Sequence, residues 1–531
     1  MAEYYYAQGG TAADKESATS GTYPTGCMSP ATAVSESSGF SADDFCLASD
    51  EGGVIRATIL PGSNGSDGSP ITWGAKIGDT PEISAANHIE TWTSEGSDHY
   101  SADLTTDPIQ AFMDDTRLTE GSAKDTLNDH EWFWEANKLY VRDDSGDPDV
   151  TGVVIEASIR DCCIDVVNGR SYLTFENLTL EKAADTNADI YHDGSKIEHI
   201  IFDNVDNHRA YFQGMRVRNQ STLSNNFTYK NSEVSYCGGS GLQTYKWNIS
   251  LIANNNVHHN CQLDTVDPGF HGLTAGIKMV NVSNANCVIE YNWVHNNGNN
   301  WLYSDARGTG IWSDADPTGQ IFRYNLVHEN DSCGLHFEGG SNNGKMYGNV
   351  SYKNGHTGIK LTSTGSSIVH SNEVYNNTVV ANEQHGIVVG GVNAQADSSY
   401  DNVVRNNICV GNATVGGRQM KCFYGGENDG TMGHGNVYNN NCFGEEYTGF
   451  LEWGDGSAYN TYVAWLAASS QIDNNIEADP LFTDADNDDY TLASGSPCIG
   501  VGVDLGSPYN IALLPGSTWP DSVLTGDQEA Y

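Results

Sequence analysis

The sequence predicts an all-β solenoid of stacked parallel coils with a β-rich insertion near its N-terminal end. Three observations lead there. An Asn-rich element and a Gly-aliphatic element alternate through the middle of the chain. Apolar residues follow a two-residue period in short runs, with no helical period anywhere among the repeats. The 58 glycines of 531 residues punctuate those runs, as short strands and tight corners require.

The Asn-rich element recurs as Asn255-Asn256-Val257-His258-His259-Asn260, Asn292-Trp293-Val294-His295-Asn296-Asn297 and Asn325-Leu326-Val327-His328-Glu329-Asn330. It continues as Asn349-Val350-Ser351-Tyr352-Lys353-Asn354 and Asn372-Glu373-Val374-Tyr375-Asn376-Asn377. Between these lie Gly241-Leu242, Gly276-Ile277, Gly310-Ile311, Gly334-Leu335, Gly358-Ile359 and Gly386-Ile387, with spacings of 24 and 24 from Gly310 to Gly358. Upstream, Phe175, Phe202 and Tyr229 repeat at 27 and 27. Two or three strands in each 23–28 residues, with Asn at fixed corners, form a coil that stacks on the last at about 4.8 Å. Asn260, Asn297, Asn330, Asn354 and Asn377 are expected to form one amide ladder at αL corners. A leucine-rich repeat would need its LxxLxLxxN signature, which is absent.

This pattern resembles the right-handed parallel β-helix of pectate lyases, polygalacturonases and related carbohydrate enzymes, over roughly residues 150–480. In order, residues 1–87 read as an N-terminal cap and first coils. Residues 88–148, with Glu131-Trp132-Phe133-Trp134, read as an inserted β-rich subdomain. Residues 149–480 are the β-helix and 481–531 a C-terminal coil and cap.

Composition bounds the partners. A formal charge of −44, from 69 acidic and 25 basic residues, opposes counterion-release binding to nucleic acid and repels polyanions. No run approaches 18 apolar residues, so no membrane helix is expected. The charge suits a secreted or periplasmic protein, although Met1-Ala2-Glu3-Tyr4 does not open a charged-then-apolar leader. Twelve cysteines include no zinc-type CxxC pair. Cys27 with Cys46, and Cys409 with Cys442, are expected as bridges; the adjacent Cys162 and Cys163 face opposite ways on a strand.

Register then places the chemistry. Aligned on the glycine, the first following residue (Leu242, Ile277, Ile311, Leu335, Ile359, Ile387) and the third (Thr244, Met279, Ser313, Phe337, Leu361, Val389) should point inward. The second column then faces out with Gln243, Lys278, Trp312, His336, Lys360 and Val388. The fourth does so with Tyr245, Val280, Asp314, Glu338, Thr362 and Gly390. Trp, His, Lys and Gln beside two carboxylates suit stacking on sugar rings and bonding hydroxyls. Asp314 and Glu338 fall on consecutive coils, about 5 Å apart along the stack, the separation that suits a retaining glycosidase, with inverting action as the alternative because side chains can splay. Two long insertions, 262–272 and 298–308, flank this face and add Asp267, His271, Trp301, Tyr303 and Arg307 as substrate-binding candidates.

Two further clusters compete for a metal. The column Tyr236, His258, His295, His328, Tyr352, Tyr375 runs along a line and reads as stacked rings, because metal ligands converge on a point. Asp484, Asp486 and Asp488 are candidate Ca²⁺ ligands, with a solvated acidic turn as the competing reading. No cofactor is otherwise required, and Ca²⁺ is the one possible ion.

The stretch Gly310-Ile311-Trp312-Ser313-Asp314, followed 24 residues later by Glu338 in Gly334-Leu335-His336-Phe337-Glu338, resembles the active-site stretch of β-helical glycoside hydrolases of the family 120 β-xylosidase type. That resemblance implies Asp314 as nucleophile and Glu338 as acid/base, cleaving a neutral plant or algal glycan or oligosaccharide. The Ala315-Asp316-Pro317 turn departs from the family's pattern, and Asp316 is a rival carboxylate. A polysaccharide lyase or uronan C5-epimerase is the first alternative. It would use Lys278, Lys360 or a His as base, with Ca²⁺, and Asp267-Pro268-Gly269-Phe270-His271 is an interrupted form of the epimerase Asp-Pro-His-Asp motif. A non-catalytic glycan-binding tailspike or adhesin is the second.

Overall fold

The structure is a computed structural model, describing the chain except residues 1, 168, 193, 195, 220–223, 264–272, 282–286, 299–306, 316–317, 364–366, 391–398, 413–416, 424–434, 455–456, 469–471, 507–508 and 510–531. The chain divides into two compact units. One comprises residues 1–195, 200–216 and 235–238; the other comprises 196–199, 217–234 and 239–531.

In the first unit the coils begin at once. Glu3–Tyr6 pairs in parallel with Phe45–Ala48, that strand with Ile71–Ala75, and that with Leu173–Glu181. Phe175 stands in register with Phe202, their rings stacked at 4.6 Å, so the 27-residue spacing is one turn of the coil. Between these coils, two small and mostly antiparallel sheets run from Ala86 to Ser158 around Trp92, Trp132, Leu139, Val141 and Ile155. They are tied to the coils by Lys182, whose buried ammonium reaches Glu156, Asp115 and Glu181. Its pKa moves up because those carboxylates outweigh a burial effect that pushes it down.

The second unit is a β-helix whose coils each contribute three strands. One sheet stacks Leu242–Tyr245, Ala275–Val280, Thr309–Asp314, Leu335–Glu338, Thr357–Thr362, His385–Val389, Arg418–Phe423 and Leu451–Gly454, all parallel. Two columns of three-residue strands complete the coil. Asn256–His258, Trp293–His295 and Leu326–His328 belong to one; Val288–Glu290, Ile321–Arg323 and Lys345–Tyr347 belong to the other. The strands are short because a left-handed residue ends each, as Glu329 (φ 51°) ends Leu326–His328.

The asparagines do form ladders, but two long ones rather than one. Asn260, Asn297, Asn330, Asn354, Asn382 and Asn412 are linked amide to amide at 2.9–3.0 Å. Asn377, expected in that ladder, belongs to the other, which runs from Asn255 through Asn292, Asn325, Asn349 and Asn377 to Asn407, Asn441 and Asn475. Nor do these asparagines occupy the left-handed corner; each follows the residue that does, such as His259, Asn296 or Lys353. Both corrections have one cause. The two corners of a coil carry the same short motif, and sequence alone does not show which corner a copy occupies.

The ring column holds for His258, His295, His328 and Tyr352, stacked at 5.0, 5.1 and 4.5 Å. Tyr375 pairs with Tyr347 in the adjacent column instead, and Tyr352 packs on Tyr490.

No disulfide joins the cysteines. Cys409 and Cys442 cannot meet, because Ile408 is the residue paired with Cys442; Cys409 therefore faces the other side of the sheet. The Cys442 thiol instead donates to the Ala478 carbonyl at 3.2 Å. Cys27 and Cys46 are both buried and unbridged. The acidic turn does not converge either: Asp484 accepts from Asn487 at 2.8 Å, while Asp488 pairs with Lys353 at 2.6 Å. Among the described residues, no three His, Cys, Asp or Glu side chains are grouped to hold a metal ion. No helix among them is long and apolar enough to cross a membrane.

Candidate active site

The sheet that holds Thr309–Asp314 and Leu335–Glu338 carries the candidate residues. Its facing is fixed by Phe337, whose ring contacts that of Phe322 on the Ile321–Arg323 strand at 4.7 Å, inside the coil. The residues flanking Phe337, His336 and Glu338, therefore point the other way. Glycine leads the first six of these strands because the ladder runs close by: a Cβ on Gly310 would lie 2.4 Å from Val327 Cγ1 and 3.0 Å from Asn330 Nδ2.

The register is continuous. Lys278 pairs with Trp312, Trp312 with His336, and His336 with Lys360. Ser313 pairs with Phe337, so Asp314 and Glu338, one residue on, end neighbouring strands on the same side. Their side chains are 24% and 21% exposed, which makes both acids reachable from solvent. Each strand end turns through a left-handed residue just beyond this column: Lys246, Asn281, Ala315 and Gly339. That turn sets the acids at the rim of the sheet.

The second column faces outward but is not solvated. Lys278, Trp312, His336 and Lys360 are 3%, 1%, 1% and 5% exposed. The Lys278 ammonium lies 3.5 Å from the Trp312 ring centroid, and that ring stacks on His336 at 5.5 Å and 15°. Lys278 also donates to the Leu273 carbonyl at 2.9 Å and stands 3.6 Å from Asp314 Oδ2. Burial pulls its pKa down to about 8, against the opposing pull of Asp314 and Glu338. His336 is held neutral, its pKa pushed well below the usual value by burial and further by Lys360, His356 and Lys278. Its Nε2 is 2.8 Å from Thr362 Oγ1, and its Nδ1 is 3.9 Å from Glu338 Oε2. Trp312 Nε1 and His336 Nδ1 are buried without a hydrogen bond to the protein.

Gln243 and Tyr245 lie one strand further along the stack, half-buried, opposite Lys278 and Val280. Arg307 is half-buried just before the Thr309–Asp314 strand. Asp267, His271, Trp301, Tyr303 and Asp316 lie outside the described residues. Sequence reasoning did not single out Thr362 or Gly339 as part of the site. A Cβ on Gly339 would stand 3.0 Å from the Ala315 nitrogen and 3.5 Å from Asp314 Oδ1. It also lost the column after Val388, which continues to Lys421 and Glu452. The reason is local: Gln419 stands where a glycine is expected, and its amide oxygen closes the Asn412 end of the ladder at 2.8 Å.

Residues 162–351 match the family model described as right handed beta helix region. The complex structure of XylC with xylose superposes with a TM-score of 0.66 at 14% identity, covering 90% of this chain and 87% of that one. A GH136 lacto-N-biosidase from Eubacterium ramulus aligns over 90% of this chain and 67% of its own, with 14% identity and a TM-score of 0.43. By sequence, the uncharacterized protein YwoF of Bacillus subtilis (strain 168) is 26% identical over 204 residues. That match spans 35% of this chain and 40% of YwoF. At these identities the likeness is one of fold: the chain is a right-handed parallel β-helix.

Proposed function

We propose that this β-helix is a glycoside hydrolase that works with two carboxylates, Asp314 as nucleophile and Glu338 as acid/base. The observation that carries the reading is their position at the same outward rim of adjacent strands. Strands about 4.8 Å apart suit the roughly 5–5.5 Å of a retaining pair. Asp314 attacks the anomeric carbon while Glu338 gives its proton to the departing oxygen. The resulting glycosyl ester is cleaved by water, whose proton returns to Glu338.

The surroundings support a division of labour. The Lys278 cation lies beside Asp314, while the imidazole nearest Glu338 is neutral. The Trp312 and His336 rings stack in the column beside the two acids and hold that part of the sheet rigid, buried from solvent. The likeness of the Gly310–Asp314 and Gly334–Glu338 strings to family 120 β-xylosidases, and the XylC fold neighbour solved with xylose, make a neutral pentose the first sugar to test. Lys278 is a poor candidate for a lyase base, because its ammonium is engaged by the Leu273 carbonyl and Asp314.

Aryl glycosides, xylosides first, test the reading, with the product anomer followed by NMR. Release of sugar with retained configuration is expected. Glu338→Gln should lose about 10²–10⁴-fold on poor leaving groups and far less on activated aryl glycosides. Equal loss on both counts against Glu338 as the acid. New ultraviolet absorbance of an unsaturated uronate, in place of hydrolysis, would transfer the site to a lyase.

A further inference from the structure

A second cavity, of about 350 Å³, lies in the same unit and is lined by none of the candidate-site residues. Its walls include Ile408, Cys442 and Ile476 from the coils, and Cys498, Val501 and Val503 from the C-terminal strap 498–504. Corner asparagines at left-handed positions hold that strap. Asn440 donates to the Val501 carbonyl at 3.3 Å; Asn406 donates to the Val503 carbonyl at 2.8 Å and accepts from its nitrogen at 3.0 Å. The first of these bonds brings two cysteines to one place, because Cys442 follows Asn440 by two residues and Cys498 precedes Val501 by three. Cys409 sends its thiol across the coil to the Gln419 carbonyl at 2.9 Å. Its neighbour Ile408, and Cys442 in register with Ile408, therefore face outward, toward the strap. The half-buried Cys498 packs against the same apolar cluster that contains Cys442. Each thiol is the leading cause of the other's shift: the Cys442 pKa moves down beside Cys498, and the Cys498 pKa moves up beside Cys442.

We infer that Cys442 and Cys498 are a redox-active pair that closes to a disulfide and clasps the C-terminal strap to the coils. The clasp is independent of the hydrolase reading. Its oxidant is a small dialkyl disulfide, admitted to the cavity that both cysteines line. Cys442, the thiol that ionises first, attacks one sulfur of the oxidant and expels an alkyl thiolate, which takes up a proton. The mixed disulfide removes the Cys442 charge that opposed ionisation of Cys498. Cys498 then loses its proton, attacks the Cys442 sulfur and expels the second alkyl thiol. One S–S bond forms in the protein as one breaks in the oxidant, and two electrons and two protons pass to the oxidant. Closure gives up the weak S–H contact from Cys442 to the Ala478 carbonyl. In return it ties the chain from 442 to 498 into a loop, which restricts the unfolded state.

The test exposes the full-length folded chain to hydroxyethyl disulfide, with a dithiothreitol-treated sample as the reduced reference. Both are quenched in acid, unfolded, alkylated and cut with a glutamyl endopeptidase, for which Glu446 and Glu477 lie between the two cysteines. Mass spectrometry should find a linked peptide pair holding Cys442 and Cys498 in the oxidised sample, and both cysteines alkylated in the reduced one. The oxidised protein should melt about 2 °C or more above the reduced protein. In Cys498→Ser that difference should vanish. Cys442 and Cys498 both alkylated after oxidation, or either one linked to a different cysteine, overturns the inference. So does a linked pair with no rise in melting temperature, or a rise that Cys498→Ser retains. Should Cys498→Ser fail to fold, Cys498→Ala takes its place, and the reduced wild type remains the unbridged reference for the peptide map.

Discussion

The ammonium of Lys278 stands 3.6 Å from Oδ2 of Asp314, reaching across from the neighbouring coil. The two residues are 36 positions apart in sequence, and parallel stacking alone makes them partners. In the proposed mechanism Lys278 works through Asp314, as a positioning residue. With its pKa lowered to about 8, the cation fades as pH rises through that value. The wild-type pH–rate profile should therefore carry an alkaline limb near pH 8. Lys278→Met should cut kcat/KM by about 10- to 100-fold at neutral pH, the range of a roughly 1.5–3 kcal/mol charged contact, and abolish that limb. A limb that persists in the variant assigns it to another group.

Gly339 tests the geometry of the rim. Its φ is +67°, and an added Cβ would press on the Ala315 backbone and approach Asp314 Oδ1. Gly339→Ala should lower kcat by about tenfold or more while costing about 1 kcal/mol of stability from the backbone alone. Retention of full activity would mean the Asp314 carboxylate does not need that space.

The ladders predict where stability is concentrated. Asn330 donates to the Val294 and His328 carbonyls and to Asn354, and accepts from Asn297, all while 1% exposed. Asn330→Ala leaves several of those groups buried without partners and should cost roughly 2–4 kcal/mol. Asn343, whose exposed side chain donates to its neighbour Asn342, should lose only about 1 kcal/mol on the same change, the cost of an alanine at its left-handed backbone (φ 54°). Urea unfolding of the two variants makes the comparison.

Acid stability should report the histidine stack. His295, between His258 and His328 and beneath Trp293, is pushed down to about 3, first by burial, against the support of Asn296 and with the neighbouring imidazoles adding to the drop. The unfolded chain binds this proton below about pH 6.5 while the folded protein refuses it until about 3, so stability is complete above 6.5 and falls as pH drops through that window. His295→Phe keeps a ring in the stack and removes the titration. It should flatten the loss between pH 6.5 and 4 by up to about 1.4 kcal/mol per pH unit, read from melting temperature against pH. An unchanged acid slope would show that other groups dominate.

The repeat told its own architecture. A Gly-aliphatic step every 24 residues and Asn at the corners are enough to specify parallel coils, because strand register and corner chemistry are local and repeat identically. From that register Asp314 and Glu338 could be put side by side, along with Trp312 and His336. What the sequence could not decide depends on which atoms close over a face. Lys278, Trp312, His336 and Lys360 alternate outward like solvated residues, yet in the fold all four are almost fully buried. The two Asn corners looked alike until the fold separated them. The continuation of the column to Lys421 and Glu452 was hidden because Gln419 breaks the glycine column while its backbone keeps the register. Periodicity determines which residues become neighbours; only three-dimensional packing sets their exposure and charge environment, because desolvation and Coulomb energy depend on everything around a group.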